Sequence, residues 1–243
     1  MRHYPTILKW NNPVVPVPMV VFDRKEIGTV RKVGFDSPPW LQTGAIESSF
    51  DFSGRMLELI SDISQNCPEF FNLDPNKILV TITRARNFRL HGLQARVTPM
   101  RFEGGNLQCK RGNRNYEVQQ YYVDGREIYY LVTFCLPRFQ DQTLENKLVT
   151  VFHELYHISP EFNGDLRRHQ GRCAWHTHSK KSYDVQMLHM AREYVATTRK
   201  PYLHDFLRVD FAQLIHKHGG INGSVVPLPR LVPTARPAKV AKQ

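Results

Sequence analysis

Between positions 53 and 67 the apolar residues Met56, Leu57, Ile60 and Ile63 recur at helical spacing. This predicts an amphipathic helix capped by Ser53 and ended at Cys67-Pro68. After a turn at Asp74-Pro75-Asn76, residues 77–83 are rich in β-branched side chains and predict a strand. Residues 94–102 predict a second strand, closed by Glu103-Gly104-Gly105. Residues 116–123 and 127–136 alternate on either side of Asp124-Gly125, which predicts a β-hairpin. The stretch 128–134 is the most strand-like in the chain, and Pro137 stops it. A broad apolar helical stripe then opens at Thr143 as N-cap, with Leu144, Leu148, Val149, Val151, Phe152, Leu155 and Tyr156. Asn146 stands where a capping box would prefer Glu or Gln. Ile158-Ser159-Pro160 must end that helix. A polar loop follows over 161–172, then helices over 183–197 and 203–216, the last stopped by Gly219-Gly220.

Strands followed by helices predict an α+β domain over 51–220. Residues 1–50 read as an irregular, proline-rich arm, with Val20-Val21-Phe22 as a candidate edge strand. Residues 221–243 read as a disordered, basic, proline-rich tail.

Composition adds three constraints. With 243 residues and 41% apolar content the chain can build a substantial core. Its four cysteines, at 67, 109, 135 and 173, form no CxxC pair. They give neither a zinc ribbon nor a disulfide framework, and a reducing compartment is expected. The N-terminal apolar stretch is broken by Pro13, Pro16 and Pro18. It lacks the form of a signal peptide, and no run approaches the roughly 18 apolar residues of a membrane span. A soluble, cytoplasmic protein without a membrane partner is therefore expected. The net charge of +11 and pI near 9.6 favour polyanions, nucleic acid first, through the basic surface and the tail. Arg84, Arg86, Arg89, His91, Arg96 and Arg101 concentrate that charge, although a solvated strand face explains them as well.

Candidate chemistry lies in His153-Glu154-Leu155-Tyr156-His157, an HExxH sequence. Histidines four apart share one helix face, so both imidazoles can reach a single Zn²⁺ at about 2.0–2.1 Å. The adjacent Glu154 is placed to take a proton from a water activated there. A catalytic zinc needs a third protein ligand. The candidates are Glu161, Asp165, His169, His176, His178, His189 and Glu193. Glu161 has little chain with which to turn back. His176 and His178 alternate in an extended segment just before a helix, so only one of the two can face the metal. Glu193 lies mid-helix with His189 one turn before it.

Four stretches together resemble a family of bacterial and phage metallopeptidases. They are Cys67-Pro68-Glu69-Phe70, His91-Gly92-Leu93-Gln94-Ala95 running into 98–105, the segment 153–168, and Gly171-Arg172-Cys173 with His176 and Tyr183-Asp184. The likeness covers roughly residues 54–195 and is distantly similar to SprT/Spartan-like proteases. It implies a zincin-like fold, a small mixed sheet packed on the HExxH helix with further helices C-terminal to it. It also implies His153, His157 and His176 as ligands and Glu154 as base, with His178 the local alternative to His176. The activity implied is zinc-dependent hydrolysis of a peptide or protein substrate. The chain lacks the CxxC ribbon of many SprT-like proteins, which weakens an analogy to DNA repair. For the oxyanion, Tyr183, an arginine of 167–172 or the histidine left off the metal are candidates. Asp165 or Asp184 could orient a ligand histidine. The competing expectation is a non-catalytic, zinc-stabilised module that binds nucleic acid, its metal closed by four protein ligands.

Overall fold

The structure is a computed structural model. It describes residues 49–86, 89, 91–123, 126–168 and 183–231, and the backbone of 6–10, 19–22, 31–32, 180–182 and 232–233. The strands are β1 (Thr6–Trp10), β2 (Met19–Phe22), β3 (Arg31–Lys32), β4 (Phe50–Asp51), β5 (Ile78–Arg84), β6 (Ala95–Pro99) and β7 (Gln108–Arg111). They continue with β8 (Arg114–Val118), β9 (Tyr121–Val123), β10 (Arg126–Glu127), β11 (Tyr130–Leu136), β12 (Ile221–Val225) and β13 (Leu231–Pro233). The helices are α1 (Phe52–Asn66), α2 (Leu144–Tyr156), α3 (Lys180–Thr197) and α4 (Phe211–His218). The fold is α+β, as the order of strands and helices predicts.

The centre is β11, every residue of which is buried. It lies between β5, which runs parallel to it, and β6, which runs antiparallel. A strand covered on both faces is largely apolar, as Tyr-Leu-Val-Thr-Phe-Cys-Leu is, and the Thr133 hydroxyl is satisfied by that of Thr81 at 2.7 Å. Tyr130, Val132, Phe134 and Leu136 enter the main core with Met56 of α1, Phe152 of α2 and Met187 of α3. Leu131 points the other way, into a smaller cluster with Met100, Tyr121 and Ile128. The period of two along the strand thus divides one run between two cores.

This corrects the predicted hairpin. Residues 130–136 pair with β5 and β6 and not with 116–120, although Arg126 and Glu127 do pair back onto Val123 and Tyr122 and the Ile128 N–H donates to the Tyr121 carbonyl. The apolar run beyond them buries more surface as a central strand than as one arm of an exposed ribbon. The cap of α1 also differs from expectation. Asp51, not Ser53, accepts the Gly54 N–H at 2.9 Å. Ser53 is buried, and its hydroxyl accepts the Ser224 N–H of β12. The helix expected over 203–216 is two pieces, a 3-10 segment Pro201–Arg208 and α4. Asp210 and Gln213 form a reciprocal capping box that restarts the chain.

The tail and arm expectations need the largest correction. β12 and β13 fall inside the stretch expected to be disordered. β12 sits between β1 and β4 in the sheet order β2-β1-β12-β4, and Ile221 is fully buried. The arm is therefore not wholly irregular, and β2 takes the edge position expected of Val20-Val21-Phe22. Four backbone pairings of β1 with β2 and five with β12 supply the hydrogen bonds that neither segment could make alone. Among the described residues no helix is long and apolar enough to cross a membrane.

Candidate active site

The stripe Leu148, Val151, Phe152 and Leu155 holds α2 in the main core. Thr143 caps its start, its hydroxyl accepting the Asn146 N–H at 3.3 Å. His153 and His157 lie on the half-buried flank beside that stripe, open to solvent. Their Nε2 atoms stand 2.9 Å apart. Two nitrogens bound to one tetrahedral zinc at about 2.0–2.1 Å stand roughly 3.3 Å apart, so the imidazoles already converge on one point. The donor types also suit zinc, which binds neutral imidazole readily.

The C-terminal end of α2 is fixed by the loop that follows it. Arg167 N–H donates to the His157 carbonyl at 2.7 Å, and Ile158 bridges Leu166. Arg167 Nε donates to the Tyr156 carbonyl, and its guanidinium lies 3.9 Å over the Tyr156 ring. Asp165 organises this loop from inside. Its buried carboxylate accepts the N–H groups of Gly104 at 2.9 Å and Leu166 at 2.8 Å, and meets Arg168 at 3.3 Å. The Tyr130 hydroxyl donates to the Asp165 carbonyl and accepts the Gly164 N–H. Asp165 is thus neither a metal ligand nor the orienter of a described histidine.

Glu154 points into the fold beside the histidines and is 9% exposed. Its Oε2 accepts the N–H of Val97 at 2.7 Å. Val97 lies on β6, an edge of its sheet, and this N–H is not used by β11. Burial pushes the Glu154 carboxyl up to about 7, against the opposing pull of the Val97 N–H and of Arg96. Tyr183 of α3 is buried against both histidines, its ring centre 5.0 Å from that of His153 and 6.2 Å from that of His157. His153, Glu154 and Tyr183 line a cleft of about 830 Å³, whose far wall is Gly92 to Ala95. Arg138 pins that wall by donating to the carbonyls of Arg89 and Leu93. Gly92, at φ 125°, leaves the space: a Cβ there would fall 2.8 Å from the guanidinium.

The structure therefore brings together His153, Glu154 and His157. His169, His176 and His178 lie outside the described residues. Among the described residues, no group of three or more His, Cys, Asp or Glu side chains could hold a metal ion. Glu161, Asp165, His189 and Glu193 consequently do not complete the pair. Glu193 lies about 15 Å along α3 from Tyr183, too far for one carboxylate to span, and both it and His189 are exposed. The expected basic patch is also divided. Arg101 is half-buried, pairs with Glu127 at 3.0 Å and stacks on Tyr129, while Arg84, Arg86 and Arg89 are exposed. Sequence reasoning missed Val97, Arg138 and the structural task of Asp165. Only Arg138, next to the strand-ending Pro137, carried a local signal of special placement. No family model, curated protein or solved structure matches the chain.

Proposed function

We propose that the protein is a zinc-dependent metallopeptidase of zincin type, with Glu154 as general base. The observation that carries this reading is the position of Glu154. It is a buried, cleft-lining carboxyl next to two imidazoles whose Nε2 atoms converge. His153 and His157 would hold the zinc, with His176 or His178 as the third ligand. Zinc, when bound, acidifies a water and polarises a peptide carbonyl. Glu154 accepts the proton of the attacking water and later delivers it to the leaving amine. The Val97 N–H holds one oxygen in place and leaves the other for the water. Tyr183 fixes the planes of the two imidazoles by packing against them.

A closed zinc site in a nucleic-acid-binding module would have no task for Glu154. It would also leave unexplained why a carboxyl is buried at a cost beside the histidines. Calorimetric zinc titration tests the reading. The intact protein should bind one zinc, and His153→Ala or His157→Ala should weaken it on the order of 100-fold or more. Undiminished affinity in both variants would overturn the assignment.

A further inference from the structure

The chain carries +11, yet among the described residues the cleft is lined by three carboxyl groups, those of Glu145, Glu154 and Asp184. No Lys or Arg among the described residues lines it. Glu145 is paired with Arg192. Asp184 is half-buried and has no hydrogen bond or ion pair among the described residues. Leu93 and Val185 stand at the cleft with 50% and 65% of their surface exposed. Glu145 and Leu188 also line a second space, an apolar trough of about 340 Å³ between α2 and α3 with Leu148 and Val195. The cleft and the trough are therefore neighbours, sharing Glu145 and Leu188 as lining residues. Asp184 and Val195 are about three turns apart on α3, or roughly 16 Å, which an extended chain covers in about five residues.

Resting on the peptidase reading above, we propose that the substrate is an unfolded polypeptide segment with two anchors. A Lys or Arg side chain meets Asp184, and an aliphatic or aromatic side chain about three to five residues away fills the trough. A half-buried carboxylate beside apolar surface favours a long cationic side chain twice over, through its charge and through its methylene stem. The uncompensated Asp184 carboxylate disfavours an acidic side chain at the same point.

The test measures binding of labelled peptides to full-length Glu154→Gln protein by fluorescence anisotropy, with and without zinc. A peptide with Lys and Leu four residues apart should bind roughly five-fold tighter than its Lys→Gln counterpart, with the Lys→Glu peptide weakest. Raising the salt should shrink the difference. Asp184→Asn should abolish the preference for Lys, and Leu188→Ser should reduce the preference for Leu. Equal binding of all the peptides, no binding at all, or a Lys preference that survives Asp184→Asn overturns the proposal. If the selectivity appears but the zinc-loaded wild-type protein cleaves none of the peptides, the catalytic reading fails and the selectivity stands. If the wild type cleaves all of them equally, the selectivity fails and the catalytic reading stands.

Discussion

Asp165 shows how much of the site depends on a single side chain that touches no substrate. Its carboxylate collects two backbone N–H groups and Arg168, and the loop it holds delivers the Arg167 N–H to the His157 carbonyl. Asp165→Ala would leave those buried donors without an acceptor, and a loss of about 2–4 kcal/mol is expected in urea unfolding. Zinc affinity should fall roughly ten-fold with it, because His157 loses its anchor. Asp165→Asn, which keeps one acceptor, should lie between the two. At this scale the sequence was informative about types and spacing. His153 and His157 had to share a helix flank, because four residues make about one turn. The use of Asp165 was not legible, since its partners come from Gly104 and Tyr130, far away in the chain.

Among the elements, α2 does two tasks, and Lys147 separates them. One face of the helix carries the histidines, while Lys147 is 1% exposed and donates to the carbonyls of Leu207 and Val209. It ties α2 to the end of the 3-10 segment. Burial holds its ammonium down to about 8 from 10.5, against the pull of Asp141 and Asp210. Between those values the unfolded chain binds more protons than the folded one. Stability therefore rises with pH from about 8 to about 10.5, by up to roughly 3 kcal/mol. The difference in unfolding free energy between wild type and Lys147→Met should show that rise, with the tyrosine contributions cancelling. Helix α2 was readable from its apolar stripe, its threonine cap and the proline beyond it. β11 was readable as a strand, but its neighbours were not. Two parallel or antiparallel partners from elsewhere in the chain can outbid a hairpin whose turn is only a local preference.

Across the whole molecule, the segment expected to be disordered helps close the fold. β12 lies between β1 and β4, the Tyr121 hydroxyl donates to the Pro227 carbonyl, and the Gln119 N–H donates to Arg230. Deleting 221–243 should abolish cooperative thermal unfolding, whereas a free tail could be removed without effect. Prolines and basic residues hid this role, because composition reports average solvation and not the few apolar positions, such as Ile221, that are buried. Charge is likewise uneven, with a basic exterior around a cleft lined by acids. The central claim joins these scales, since the fold buries one carboxyl beside two converging imidazoles. Its most direct test is the turnover of an unfolded protein substrate by Glu154→Gln at matched zinc content. The expected result is one zinc per chain with turnover reduced by about 10²–10⁴-fold. Full zinc with undiminished turnover would contradict the account.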